Sequence, residues 1–423
     1  MPDDTLIAAL LFVGAYILIA VERWDRTLIA LLTAMVMVLL GIVNQQEAFA
    51  AIDLNVIFLL VGMMIIASIL ARTGFFEWLA IRSVVLSDGH PIRLLLILSL
   101  VTAVVSAFLD NVTTVVLMTP VTLSVSRRLG ISPGPYLIAQ ILASNIGGTA
   151  TLIGDPPNIL IGSAAGLGFG AFLWNLAPVV ILIFIAFAGI MALTYRNVLK
   201  VPDERRLEAV EATKVRVITD NGLLAKALVV TALTIVGFLA HSALGVEVAT
   251  VALLGATVLM LLVGDQPEMT LPHVEWSTIF FFVGLFIMVE GIIQAGIVGG
   301  IAERIAEAAN GDVAVASLAI LWFSAGASAI IDNIPYTATA IPVVQQLVDS
   351  GMAPDSLWWS LALGACLGGN LTIIGASANV VVSNMADREG HPITFFMFLK
   401  YGAMTVAASM VISTIYVWVR YLS

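Results

Sequence analysis

Apolar runs of about 20 residues recur along almost the whole chain, each long enough to cross a bilayer as a helix. That feature leaves few folds open. A backbone surrounded by hydrocarbon must satisfy its own hydrogen bonds, so only helices and closed barrels can span a membrane. Barrel strands alternate polar and apolar residues, and these runs do not. The expected fold is an all-α membrane protein. Composition agrees, with 60% of the 423 residues hydrophobic and only 11% charged. A soluble domain is about a quarter charged. The net charge of -10 and the lack of a basic patch argue against a nucleic-acid partner. The single cysteine, Cys366, leaves no internal disulfide and no multi-cysteine metal site, and no cofactor is expected. The first apolar run, 6–21, follows Pro2-Asp3-Asp4 rather than a basic segment, and it reads as a retained span.

Full spans are expected at 5–22, 27–43, 55–72, 137–165, 175–196, 222–241, 248–264, 276–295, 357–384 and 394–419. Two further apolar stretches, 91–126 and 314–349, are interrupted in the middle by Asp110-Asn111 and Asp332-Asn333. Each reads as a pair of spans or as a re-entrant helical hairpin. With the N-terminus outside, 16 of the 18 Lys and Arg residues, Arg26 among them, fall on the cytoplasmic side. Only Arg304 and Arg420 fall outside, a strong positive-inside bias. Both termini are then outside a cell inner membrane.

The chain repeats itself at a spacing of about 222 residues. Val61-Gly62 and Gly74 recur as Val283-Gly284 and Gly296, and Ser106-Ala107-x-x-Asp110-Asn111 recurs as Ser328-Ala329-x-x-Asp332-Asn333. One residue out of step, Gly147-Gly148, Thr151 and Asn158 recur as Gly368-Gly369, Thr372 and Asn379. The matches are collinear and fall on Gly, Asp, Asn and Pro, which chance similarity between two apolar strings would not produce. The expected domains are a first repeat at 1–196, a polar cytoplasmic linker at 197–221 and a second repeat at 222–423. Each half makes five net crossings, so the second lies inverted. Inverted repeats with interrupted helices at their interface are a common secondary-transporter architecture.

Ionisable groups inside apolar stretches are rare and usually face a cavity. Burial disfavours the charged form of a carboxyl, so Asp110 and Asp332 are candidates for taking up and releasing a proton. Each aspartate equally suits the N-cap of a helix starting at the hairpin tip. The stretch from Ser144 to Asn158 holds three glycines, two prolines and many hydroxyl and amide side chains, and it cannot form an uninterrupted helix. It should break, as should its partner at 368–379. The candidate binding residues are Asn111, Thr113, Thr114, Asn145, Thr149, Thr151, Asn158, Asn333, Asn370, Thr372, Ser377 and Asn379, with Asp155 a third proton site. Asp155 has no carboxylate counterpart, because Ala376 stands at its repeat position. Glu290 reads either as a further proton site or as a residue near the membrane interface.

At these residues the chain resembles the ion transporter superfamily, in the branch holding arsenite efflux pumps, NhaD-type sodium/proton antiporters and the P protein. The segments 106–114 and 145–158 carry the resemblance. It implies a scaffold domain and a transport domain that moves as an elevator. It also implies a homodimer and, for an arsenite pump, an ATPase subunit. Dicarboxylate carriers of the superfamily place Ser-Asn-Thr at the hairpin tips, whereas these tips read Asp110-Asn111-Val112 and Asp332-Asn333-Ile334. An acidic tip repels a dicarboxylate. The expected function is proton-coupled export of arsenite or antimonite, small inorganic solutes, with sodium/proton exchange as the alternative. Carboxylate transport follows behind. An intramembrane aspartic protease lacks its Gly-x-Gly-Asp signature, since Ile153 precedes Gly154-Asp155.

Overall fold

The computed structural model describes residues 2–21, 23–196, 199, 218–264 and 266–423, and no strand occurs among them. Most of the expected linker at 197–221 lies outside the described residues. The first half runs α1 (Pro2–Val21), α2 (Arg26–Leu39), α3 (Gln45–Ala50), α4 (Leu54–Arg72), α5 (Phe75–Leu86), α6 (Pro91–Ser106), α7 (Asn111–Leu129), α8 (Gly134–Gly148), α9 (Pro156–Ala165) and α10 (Phe169–Tyr195). The second half runs α11 (Asn221–Leu244), α12 (Val248–Val263), α13 (Pro267–Thr270), α14 (Trp276–Gln294), α15 (Ile297–Ala309), α16 (Val313–Ser328), α17 (Asn333–Asp349), α18 (Pro354–Gly368), α19 (Ser377–Arg388) and α20 (Phe395–Val417).

Short polar signals set these boundaries. Asp25, Asp53, Asp110, Asp220, Asp312 and Asp332 each accept a hydrogen bond from a backbone N–H in the first turn that follows. A cap of this kind contributes about 1 kcal/mol. Gly74 and Gly296 sit at φ 80° and 74° ahead of α5 and α15, a left-handed conformation that costs a residue with a Cβ.

By length and composition, five helices suffice to cross a membrane among the described residues: Leu54–Arg72, Phe169–Tyr195, Asn221–Leu244, Trp276–Gln294 and Phe395–Leu422. About ten spans were expected. The difference has a physical cause. Several apolar helices, such as Arg26–Leu39, are short, and both Gly-rich stretches split their spans into half-helices.

The halves interlock through glycines. A Cβ on Gly62 of α4 would lie 2.7 Å from the backbone of Ala252 on α12, and one on Gly284 of α14 would lie 2.7 Å from that of Ala30 on α2. Each close approach therefore joins a helix of one half to a helix of the other. Thr27 on α2 also donates to the Ser277 carbonyl on α14 at 3.0 Å.

The two stretches interrupted by Asp-Asn are hairpins. Tyr136 on α8 donates to the Pro91 carbonyl at the start of α6, and Ser106 at the end of α6 donates to the Ser144 carbonyl near the end of α8. Helices α6 and α8 therefore run parallel. Helix α7 joins the end of one to the start of the other, so it must double back. The second half repeats this, with Ser317 bonded to Ser356 and Ser328 to the Ala365 carbonyl. Both hairpin tips thus stop level with the breaks that follow α8 and α18.

Candidate functional site

The breaks are built from glycine. A Cβ on Gly154 would lie 2.6 Å from the Gly148 carbonyl oxygen and 2.6 Å from that of Ser106. On Gly375 it would lie 2.7 Å from the Gly369 oxygen and 2.9 Å from that of Ser328. No larger residue lets the unwound segment fold against the last residue of the hairpin's first helix. Thr151 and Thr372 then donate to the Ala107 and Ala329 carbonyls and fasten each break to its own tip. Asn158 donates to the carbonyls of Thr149 and Thr151 at 3.1 and 2.8 Å, and Asn379 to those of Gly369 and Thr372 at 2.8 Å. These asparagines satisfy backbone acceptors freed by unwinding, groups that cost several kcal/mol each if left unpaired in an apolar medium.

With the backbone held, the asparagines converge. Asn145 is the hub of the amides. It accepts from Asn111 at 2.9 Å and donates to the side-chain oxygens of Asn370 and Asn379, both at 2.9 Å. Asp155 is a second hub. Asn111 from the first tip donates to its Oδ1 at 3.2 Å, and Asn333 from the second tip donates to both of its oxygens at 3.2 and 3.3 Å. One carboxyl therefore joins both hairpins. Asp155 is wholly buried and makes no ion pair among the described residues. Two oxygens of the first hairpin, Asn111 Oδ1 and Thr114 Oγ1, are buried without a hydrogen-bond partner among the described residues.

Asp110 and Asp332 do cap their helices, through Thr113 N at 2.8 Å and Ile334 N at 3.0 Å. Their surroundings differ. Asp332 pairs with Arg26 at 3.1 Å and accepts from Ser377, whereas Asp110 has no basic partner among the described residues. The twelve expected binding residues all lie at the tips and breaks. Thr149 hydrogen-bonds the Asn145 carbonyl within its own helix. Thr113 is half-buried beside Asp110. Glu290 lies apart, in the last turn of α14, where Gln294 donates to it at 2.8 Å and to Glu47 at 2.9 Å.

Three residues escaped the sequence reading. Arg26 served there only as an orientation marker. Cys366 is buried with its thiol 3.4 Å from the Asn158 side-chain oxygen. Glu275, which precedes α14, lies within electrostatic reach of Asp110 and Arg26. Nothing in the local sequence of any of the three marks it as part of the site.

Two tips and two breaks thus meet around one buried acid. A family model described as "Citrate transporter", CitMHS, matches residues 16–364. The chain belongs to the CitMHS family. It is 46% identical over 424 residues to an uncharacterized transporter of Mycobacterium tuberculosis, covering 99% of each chain. It is 32% identical to the P protein of Sus scrofa over 98% of this chain and 59% of that one. The resemblance to the ion transporter superfamily branch that holds the P protein is thereby shown. Among solved structures, the MtrF transporter of Neisseria gonorrhoeae, described as one of a class of antimetabolite efflux pumps, superposes with a TM-score of 0.63 at 14% identity. That likeness covers 99% of this chain and 96% of that one, and it shows the fold. The CitMHS chain is a multi-pass membrane protein and a secondary transporter.

Proposed function

We propose that this CitMHS transporter couples proton movement to the export of a small neutral solute, arsenite or antimonite, with Asp155 as the central coupling carboxyl. One observation carries the reading: a wholly buried carboxyl without a basic partner among the described residues, bonded to asparagines of both hairpin tips, with two orphaned buried oxygens on the first hairpin. Isolated ionised groups are costly to bury, so this carboxyl needs a proton or a cation. Trivalent arsenite in water is a neutral hydroxide whose O–H groups donate. Asn111 Oδ1 and Thr114 Oγ1 are acceptors with nothing to accept. Asp110 and Asp332 complete the set of proton-coupling acids.

Citrate, the solute in the family's description, fits the site less well. A tricarboxylate would meet Asp110, Asp155, Asp332 and Glu275, with Arg26 already engaged by Asp332. Sodium/proton exchange is the second reading, favoured by the same orphaned oxygens beside a carboxyl, which are hard ligands for a cation. We further propose two inverted repeats, supported by glycine approaches and hairpin dockings that recur at the repeat spacing. The hairpins and broken helices would move as one transport domain, in a cell inner membrane with both termini outside. A flux assay in proteoliposomes with an imposed pH gradient tests the cargo. Arsenite movement coupled to proton counterflow is expected, and transport of citrate or sodium with none of arsenite would overturn the assignment.

A further inference from the structure

Among the described residues the site contains one engaged cation, and it comes from outside the hairpins and broken helices. Arg26 is the first residue of α2, which packs along α14 through Ala30 against Gly284 and Met37 against Gly291. From there its Nη1 donates to Asp332 Oδ2 at 3.1 Å and to Ser377 Oγ. The guanidinium lies 5.0 Å from the ring centre of Phe281 on α14, near enough for a cation–π contact. Arg26 thus ties the second hairpin tip and the start of α19 to the α2–α14 pair. The link is not sealed, since the two side chains keep 28% and 12% of their exposure.

The first tip has no such tie among the described residues. Val248 opens α12 as Arg26 opens α2, and Asp110 finds Glu275 within electrostatic reach instead of an arginine. The charged groups facing this region are Asp332, Asp155, Asp110 and Glu275. Arg26 has Asp332 at 3.1 Å and Glu275 within electrostatic reach, and Asp332 in turn lies within reach of Asp155. The ion pair is therefore open to exchange, because any positive charge arriving among these acids competes with Arg26 for Asp332. A bidentate arginine–carboxylate pair would resist this, but here one nitrogen is shared between Asp332 and Ser377.

We propose that Arg26 is a displaceable counter-ion that latches the second hairpin tip to the α2–α14 pair and releases it when a proton or monovalent cation takes its place on Asp332. The proposal rests on the reading of the chain as a transporter whose hairpins move. It makes Arg26 a positioning residue that acts through Asp332 rather than on cargo.

The test is a distance measurement on the full chain in lipid nanodiscs. Spin labels replace Leu32 on α2 and Phe323 on α16, both exposed, while the wholly buried Cys366 is left in place. The otherwise unchanged protein should show one dominant distance. Arg26→Gln and Asp332→Asn should each raise a second, longer distance by about tenfold in population, since a lost pair of 1.4 kcal/mol is a factor of ten. Arg26→Lys should keep mostly the short distance, and the exchange of Arg26→Asp with Asp332→Arg should restore it. A structural role alone would alter protein yield without creating the second distance. A single unchanged distance in both Arg26→Gln and Asp332→Asn would overturn the latch, as would Arg26→Lys behaving like Arg26→Gln. Flux of the unlabelled protein is measured beside it. Absence of any flux with the distances behaving as expected would overturn the cargo assignment and leave the latch standing.

Discussion

Gly147→Ala tests whether the hairpin and the broken helix form one rigid unit. The added Cβ would lie 2.5 Å from Ala103 Cα and 2.6 Å from its carbonyl carbon. The Ala103 carbonyl oxygen would lie nearer still, and ordinary van der Waals contact begins at 3.4 Å, so α8 must back away from α6 by at least about 0.9 Å. No side-chain rotation relieves the clash, because the atoms met are backbone. Overpacking of this kind costs typically about 1–3 kcal/mol. The shift also carries Asn145, two residues earlier, away from Asn111, Asn370 and Asn379, all bonded at 2.9 Å. Losing one or two of these bonds adds about 1 kcal/mol each. The expected loss is therefore about 2–5 kcal/mol, read as a fall of several degrees in the thermal unfolding midpoint of the detergent-solubilised protein. Flux should fall at least about tenfold. Gly189→Ala is the control, since nothing lies within 4 Å of its added Cβ. The reasoning is refuted if Gly147→Ala unfolds at the same temperature as Gly189→Ala.

Other outcomes follow from the same structure. Asn111→Ala and Asn333→Ala each remove a hydrogen bond to Asp155, worth roughly 1.5–3 kcal/mol for a charged partner, and each should lower flux by roughly 10- to 150-fold. The double variant should lose less than the product of the two, because both act through one carboxyl; multiplicative losses in proteoliposomes would contradict the shared hub. Asp220, fully exposed at the start of α11, is held below the usual carboxylate range by hydrogen bonds from the backbone amides of Leu223 and Gly222. Its cap is thus fully present above about pH 4 and is lost as pH falls through the lowered value. Amide exchange at Gly222 and Leu223 should speed up over that acid range relative to base-line chemistry, and Asp220→Asn should abolish this pH dependence.

Much of the site was legible because its residues break a rule that the rest of the chain obeys. Asp110-Asn111 and Asp332-Asn333 interrupt apolar runs, and the structure makes them the tips of doubled-back helices. The glycines and prolines between Asn145 and Asn158 forbid a continuous helix, and the chain unwinds there. The absence of an acid opposite Asp155 was also visible, but not its consequence. That one carboxyl touches both tips depends on Asn333, 178 residues away. Arg26 was invisible for the same reason. Its partners Asp332 and Ser377 lie 306 and 351 residues distant, and an arginine beginning an apolar helix reads as a cytoplasmic flank. The two aspartates differ on that point, since the tips are alike in sequence and unlike in charge environment.

The central claim is that Asp155 couples proton movement to transport. Its most direct test is flux of arsenite and of protons in proteoliposomes carrying Asp155→Asn, at several imposed pH gradients. The substitution keeps the size of the side chain and removes the titratable group. Loss of proton counterflow and of any dependence on the gradient, in protein that inserts and unfolds normally, is the predicted result. Arsenite flux that still rises with the pH gradient as in the unaltered protein would contradict it.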